Sequence, residues 1–152
     1  SAGALDLVLA DPDGVGNVVR SPIRRSSFPL AWAAHPRLDL AADPLPVILF
    51  HAPCAWRDAV VDPLDRVGRR WHPAGEASSL AAVQAAVSAG LGVTALLPNT
   101  LPRGTRVPSA ALGRGRPLPP PRRVAMALYG RRDYADSPAL VRLEKLLWQT
   151  LR

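Results

Sequence analysis

The chain has 152 residues, of which 48% are apolar and 17 are proline, and its formal net charge is +7. This length suits one domain and excludes several large ones, and the apolar fraction is high enough for a buried core. No run of about 18 apolar residues is present, which excludes a transmembrane helix. The prolines exclude a long coiled coil, because each removes a backbone donor.

The basic residues and the single cysteine set further limits. Of the 19 basic residues only Lys145 is a lysine, which is typical of a coding preference for arginine, although positive charge also suits nucleic acid or an anionic ligand. Cys54 alone excludes an internal disulfide and a multi-cysteine metal site, and indicates a reducing compartment. Residues 1–4 lack the features of a signal peptide.

Apolar runs predict extended segments through the N-terminal third of the chain. We expect a buried strand at 5–10 that closes into a turn, extended segments at 18–20 and 28–34, and a short helical turn at 38–43. The run 46–50 is apolar on both faces, which is typical of the centre of a parallel sheet.

The next segment predicts a helix that contains a proline. We expect this helix from 53 to 67, ending at Gly68, and a strand at 70–74. Because Pro63 cannot donate a backbone hydrogen bond, we expect a kink or two pieces, with Asp62 capping the second piece.

A second helix begins after Ser78 and Ser79, which offer an N-cap, and it stops at Gly90. A buried strand is expected at 92–98. The helix has apolar residues at helical spacing, namely Leu80, Val83, Val87 and Leu91.

The C-terminal third begins with an irregular region at 98–123 that is rich in Pro, Gly and Arg. A last strand is expected at 124–129, followed by a helix that starts at Ser137 and Pro138. The apolar face of this helix is predicted to comprise Leu140, Leu143, Leu147 and Leu151, with Trp148 beside it. The alternation of strands and helices predicts an α/β fold with a mainly parallel sheet.

Several motifs carry a family resemblance over nearly the whole chain. They are LDLVL at 5–9, PLAWAAHP at 29–36, LPVILF at 45–50, CAWR at 54–57, EASSL at 76–80 and VSAGLGVTALLP at 87–98. Together they resemble the effector-binding region of LysR-type transcriptional regulators, and the last two motifs are the most specific.

The resemblance implies the fold of type 2 periplasmic-binding proteins, with two Rossmann-like α/β lobes joined by crossing strands. Residues 1–19 are assigned to a partial first lobe, 20–117 to a complete second lobe with the crossing segment, and 118–152 to the return strand and C-terminal helix of the first lobe. The family's DNA-binding winged helix-turn-helix is absent from these 152 residues. An incomplete lobe would expose apolar surface and favour association.

The resemblance also implies a function. The chain would sense a small polar or anionic metabolite between two lobes and so modulate transcription, without enzymatic activity or a cofactor. The full-length protein would be cytoplasmic, would form a dimer or tetramer, and would contact DNA only through the missing N-terminal domain, with no membrane partner. One alternative is a solute-binding protein of the same fold that serves a transporter, and a weaker one is an enzyme of the same fold family.

Two helix starts are candidate effector sites, because ligands of such folds bind where strands end and helices begin. Ser78 and Ser79 offer hydroxyls beside free backbone N–H groups that favour an anion, unless they only cap their helix. In the other loop, His51 can bond a polar group and Arg57 can pair with an anion. The alternatives there are a surface histidine and an arginine on a solvated helix face.

Other polar residues are candidates for the same cleft, for catalysis or for metal binding. Cys54 lies in the loop with His51, and Thr94 would contribute to the floor of the cleft. A Cys–His nucleophile lacks a third group, so a buried, inert cysteine is preferred. His35, His51 and His72 do not have the spacing of zinc ligands, so no metal is expected.

The basic, proline-rich segment 114–123 allows two functional interpretations and a simpler one. It could contact DNA phosphates or a polyproline-recognising domain, or it could be a solvated loop between lobes. Core or interface anchors are expected from four tryptophans, namely Trp32, Trp56, Trp71 and Trp148.

Overall fold

A computed structural model describes residues 5–15, 21–105 and 117–151. The strands are β1 (Leu7–Ala10), β2 (Arg24–Phe28), β3 (Ala31–Ala33), β4 (Leu45–Phe50), β5 (Trp71–Ala77), β6 (Thr94–Leu96) and β7 (Val124–Gly130). The helices are α1 (Ala55–Arg66), α2 (Leu80–Ser88) and α3 (Pro138–Thr150), with short 3-10 helices at Pro98–Thr100 and Tyr134–Asp136. The extended segment expected at 18–20 lies outside the described residues.

The chain forms two compact units. Unit 1 comprises Ser1–Phe28 and Val124–Arg152, and unit 2 comprises Pro29–Arg123. The units therefore divide after residues 28 and 123, whereas the sequence analysis placed the divisions after 19 and 117. The assignment of these units to a partial first lobe and a complete second lobe stays a prediction.

In unit 1, β7 lies between β1 and β2 and pairs antiparallel with both. The first strand lies within its predicted range, but its four residues are only half-buried, so the expectation of a buried strand was wrong. The sequence analysis missed β2, because four of its five residues are exposed and give no apolar signal. Phe28, its buried last residue, packs edge-to-face on Trp148 of α3, with ring centroids 5.7 Å apart.

The start of α3 is confirmed, since the Ser137 hydroxyl accepts a hydrogen bond from Leu140 N at 3.5 Å. Its predicted apolar face is wrong at Leu143, which is 43% exposed. The buried residues of this helix are Glu144 and Trp148 instead. A carboxylate can face inward here because Arg24 of β2 forms an ion pair with it.

In unit 2, β4 and β5 are parallel, with Phe50 opposite Ala77 at their carboxyl ends. Val93 extends the sheet on the other side of β4 through a parallel bridge to Val47. β6, which follows Val93, pairs antiparallel with β3.

The expectation of a mainly parallel sheet was wrong for the described strands. Three of the four strand pairings are antiparallel, and β4–β5 is the parallel one. A helix crossover allows neighbouring strands to run parallel, and helices separate only β4, β5 and β6.

Helix α2 covers this sheet with fewer residues than predicted. Val83 and Val87 are fully buried in the core cluster, but Leu80 and Leu91 are 37% and 55% exposed. The helix has only nine residues, and Gly90 turns the chain with φ of +78° before Leu91 is reached. Gly90 therefore stops the helix as predicted, and Leu91 lies outside the packed face.

Helix α1 is one continuous helix that contains Pro63, so the expected division into two pieces was wrong. Asp62 does not cap a second piece; it forms an ion pair with Arg122. The carbonyl of Ala59, which residue 63 would bond in an ordinary helix, accepts from Arg122 N at 3.0 Å. The expected helical turn at 38–43 is instead irregular, with separate turns closed by Leu38 N and Ala42 N.

Within the described ranges, no helix has the length and apolar character of a membrane span.

Candidate functional site

The two loops proposed from the sequence leave the sheet side by side. His51, the first residue after β4, donates its backbone N–H to Ala77 O, the last carbonyl of β5, at 3.1 Å. The loop from His51 to Cys54 therefore lies beside the Ser78–Ser79 turn. We call this region, formed by residues 50–58 and 76–82, the carboxyl edge of unit 2.

The α2 side of the carboxyl edge is suited to an anion. Ser79 is the N-cap, and its hydroxyl accepts from Ala82 N at 3.3 Å. Leu80 N and Ala81 N have no acceptor within the helix, as in any first helical turn, and no acidic side chain lies in that turn. Ser78 and Ser79 are both exposed. The capping role of Ser79 is thus observed, while the Ser78 hydroxyl is not used as a cap.

The α1 side has a different charge. Cys54 is its N-cap residue but makes no side-chain cap hydrogen bond, and Asp58 places a negative charge in the first turn. This carboxylate already uses the positive end of the helix dipole, so an added anion is less favoured here than at α2. Cys54 is half-buried rather than buried as expected, and His51 is exposed.

Arg57 is engaged by the protein itself. Its Nη1 donates to Glu76 Oε1 at 2.8 Å and to Phe50 O at 3.1 Å. The arginine therefore joins the first turn of α1 to the end of β5 and does not present a free guanidinium. Glu76 was missed in the sequence analysis, although it lies in the EASSL motif two residues before Ser78.

Thr94 lies apart from these residues. It is 1% exposed and pairs opposite Ala33 on β3. Because the adjacent Val93 aligns with Val47, Thr94 lies beside the middle of β4 rather than at its end. The carboxyl edge therefore brings together five of the six predicted residues, namely Ser78, Ser79, His51, Cys54 and Arg57.

A third loop, also missed from the sequence, follows β6. The 3-10 helix Pro98–Thr100 is tied to α2 by Gln84 Nε2, which donates to Thr100 O at 2.6 Å. The signal in the sequence was Gln84, a polar amide in the middle of a mostly apolar predicted helix, which indicated a hydrogen-bond partner outside the helix.

An aromatic pair lies beside the polar groups of the carboxyl edge. Phe50 and Trp56 are half-buried and pack edge-to-face with centroids 6.1 Å apart. Trp32 and Trp148 are buried anchors, as predicted, whereas Trp71 is half-buried and donates to Asp65.

Two cavities of unit 2 lie at the opposite, amino edge of the parallel strands. One of about 570 Å³ is lined by Pro44, Asp65, Gly68, Arg69, Arg70 and Trp71. Another of about 350 Å³ is lined by His35, Arg37, Leu38, Asp39, Ala89 and Gly90. Beside the first, Asp43 raises the pKa of Arg70 above its ordinary value by accepting from Nε at 3.0 Å. Neither cavity includes a residue predicted for effector binding.

The part of the chain that the structure describes holds no group of three His, Cys, Asp or Glu side chains suited to a metal ion.

Comparison with known proteins places this geometry in a family. The model of the LysR substrate binding domain matches residues 1–152. The chain belongs to the LysR substrate binding domain family. It is therefore the effector-binding part of a LysR-type transcriptional regulator, and the comparison favours this function over that of a transporter's solute-binding protein.

Solved structures of this family share the fold. The C-terminal domain of a probable LysR family transcriptional regulator from Rhodococcus sp. RHA1 has 18% identity and a TM-score of 0.53, covering 86% of this chain and 68% of that one. The effector binding domain of QuiR in complex with shikimate has 15% identity and a TM-score of 0.54, covering 92% of this chain and 68% of that one. The apo regulatory domain of HypT from Salmonella typhimurium has 14% identity and a TM-score of 0.54, covering 97% of this chain and 71% of that one. The type 2 periplasmic-binding-protein fold is thereby confirmed.

The Arg57–Glu76 pair is expected to couple the two loops. Arg57→Ala should destabilise the domain more than Glu76→Ala, because the arginine also bonds Phe50 O. A double-mutant cycle by urea unfolding should give a coupling of about 0.2–1 kcal/mol, since Glu76 is partly exposed. A coupling of zero would show that the two side chains act independently.

Proposed function

We propose that this LysR substrate-binding domain binds its small polar or anionic effector at the carboxyl edge of unit 2. The observation that supports this most is the hydrogen bond from His51 N to Ala77 O, which places the starts of α1 and α2 beside each other. Free N–H groups at two adjacent helix starts form a favourable environment for an acceptor group of the ligand.

Within this site we assign the anionic group of the effector to the α2 side. Ser78 is the first contact, because its hydroxyl is exposed and not needed as a cap, and the N–H groups of Leu80 and Ala81 supply further donors. His51 would bond a second polar group, and Phe50 with Trp56 offers an apolar neighbour. Arg57 acts by holding the two loops together. Shikimate, a small ring carboxylate bound by the similar QuiR domain, is a suitable first probe.

The test is calorimetric titration with shikimate and a panel of small aliphatic and aromatic carboxylates. Ser78→Ala should weaken the best-bound carboxylate about tenfold or more, because a hydrogen bond to a charged group is lost. Ser88→Ala is the matched control, since this exposed serine lies at the other end of α2 and should leave affinity unchanged.

Ser79 needs a different substitution, because its loss as a cap would also destabilise α2. Ser79→Asn keeps a capping side chain and separates the two roles. No binding of any carboxylate by the unmodified chain, or equal affinities of the Ser78→Ala and Ser88→Ala variants, would contradict the proposed site.

For the whole protein we propose the remaining properties of the family. DNA binding would belong to a winged helix-turn-helix outside these residues, and the protein would act in the cytoplasm without catalytic activity or a cofactor. Self-association is supported by exposed leucines in unit 1, where Leu143 and Leu146 of α3 are 43% and 50% exposed.

A further inference from the structure

Residues 117–122, which we call the strap, contact the rest of unit 2 at two points. The indole Nε1 of Trp32 donates to Pro119 O at 2.6 Å. Three residues later, Arg122 N donates to Ala59 O at 3.0 Å. The strap is therefore held through its backbone at both points, unlike a loop that only water solvates.

Pro63 explains why Ala59 has a carbonyl to offer. In an α-helix the carbonyl of residue 59 accepts from the N–H of residue 63, and a proline there has none. Ala59 is only 2% exposed, so water cannot readily take the place of that donor. A buried carbonyl without a donor is unfavourable, and Arg122 N supplies the missing hydrogen bond.

The three prolines that lead from the first contact to the second make the strap stiff. Pro119, Pro120 and Pro121 are consecutive, so their φ angles are restricted and the segment favours an extended, polyproline conformation before it docks. Little conformational entropy is then lost on docking. The Arg122 side chain adds an ion pair with Asp62, one residue from Pro63 in α1.

We propose that Trp32 and the Ala59 carbonyl left free by Pro63 form an intramolecular docking site for the polyproline strap. Aromatic side chains are common receptors for proline-rich segments, and here the receptor is in the same chain. The strap is thus bound within unit 2 and is not free to contact DNA or a polyproline-recognising partner. The chain leaves unit 2 from a fixed point just before Val124.

The first measurement is hydrogen exchange of the Arg122 amide by NMR in the unmodified protein. Its exchange should be at least about tenfold slower than that of Arg103, an exposed turn residue of the same unit. Trypsin cleavage after Arg122 should be slower than cleavage after Arg103 for the same reason. Equal rates at the two positions would overturn the proposal.

Variants then separate the docking contacts from the ion pair. Pro63→Ala returns an N–H that competes for Ala59 O, so exchange at Arg122 should become about fivefold to tenfold faster. Trp32→Phe keeps an aromatic ring, removes the indole donor and leaves α1 intact, and it should also speed exchange. Asp62→Asn is the control, because it weakens only the partly exposed ion pair with Arg122, and its effect should stay below about twofold.

The outcome is decisive even if one variant folds poorly, because Trp32→Phe and Pro63→Ala disturb different elements. Circular dichroism identifies the variants that retain the fold. If every folded docking variant exchanges at the rate of Asp62→Asn, the backbone contacts do not hold the strap and the proposal fails.

Discussion

Gly92→Ala is expected to destabilise unit 2 by about 3 kcal/mol, the upper part of the range for overpacking in a core. A Cβ at residue 92 would lie 2.9 Å from Pro46 O and 3.1 Å from Pro46 C. These are backbone atoms of β4, and Pro46 O also accepts from Val93 N at 3.0 Å. The added methyl group would push residue 92 away from β4, and this displacement would break the hydrogen bond from Val93 N to Pro46 O.

Gly75→Ala is the matched control in the same sheet. Its Cβ would meet only the end of the Ile48 side chain, at 3.3 Å, so a shift of that side chain by a few tenths of an ångström relieves the contact. We expect a change within about 1 kcal/mol. Both variants are compared by urea unfolding monitored through tryptophan fluorescence. Equal midpoints for the two variants would show that the close approach of Gly92 to β4 does not limit the fold.

Arg24→Ala is expected to cost about 2–3 kcal/mol in unit 1, less than the loss of one partner of a fully buried pair. Glu144 has a side chain only 7% exposed, and it would be left without its cation. The value is reduced because the Arg24 side chain is 42% exposed and water screens the pair.

Two comparisons identify the cause of that loss. Arg25→Ala removes an exposed arginine from the next position of β2 and should change stability by less than about 0.5 kcal/mol. The double variant Arg24→Ala with Glu144→Leu should recover much of the loss, because the inward position then holds an apolar side chain. If the double variant is less stable than Arg24→Ala alone, the unpaired carboxylate is not the cause.

Local features of the fold were predictable because their causes lie within a few residues. Ser79 caps α2 and Ser137 caps α3 through N–H groups three residues away. Gly90 ends α2 in a conformation that glycine adopts readily. β4 was predictable from its apolar run, since it is buried between neighbours on both sides.

The candidate site was predictable in its position but not in its internal pairing. The order of strand, helix and strand implied that the loops after β4 and β5 share one edge. The pairing of Arg57 with Glu76, 19 residues apart, needed the register of the two strands. Thr94 was placed near the cleft by its strand, whereas the bridge of Val93 to Val47 puts it in the interior.

By itself, the sequence determined the family and the capped starts of α2 and α3, because these follow from motifs and short-range hydrogen bonds. Only the tertiary structure decided which polar groups turn inward. Glu144 can be buried because Arg24, 120 positions away in sequence, lies beside it in the folded chain. Helix α1 stays continuous because Arg122 N donates to the carbonyl that Pro63 leaves free. A buried polar group is stable only beside its partner, and chain folding determines where that partner lies.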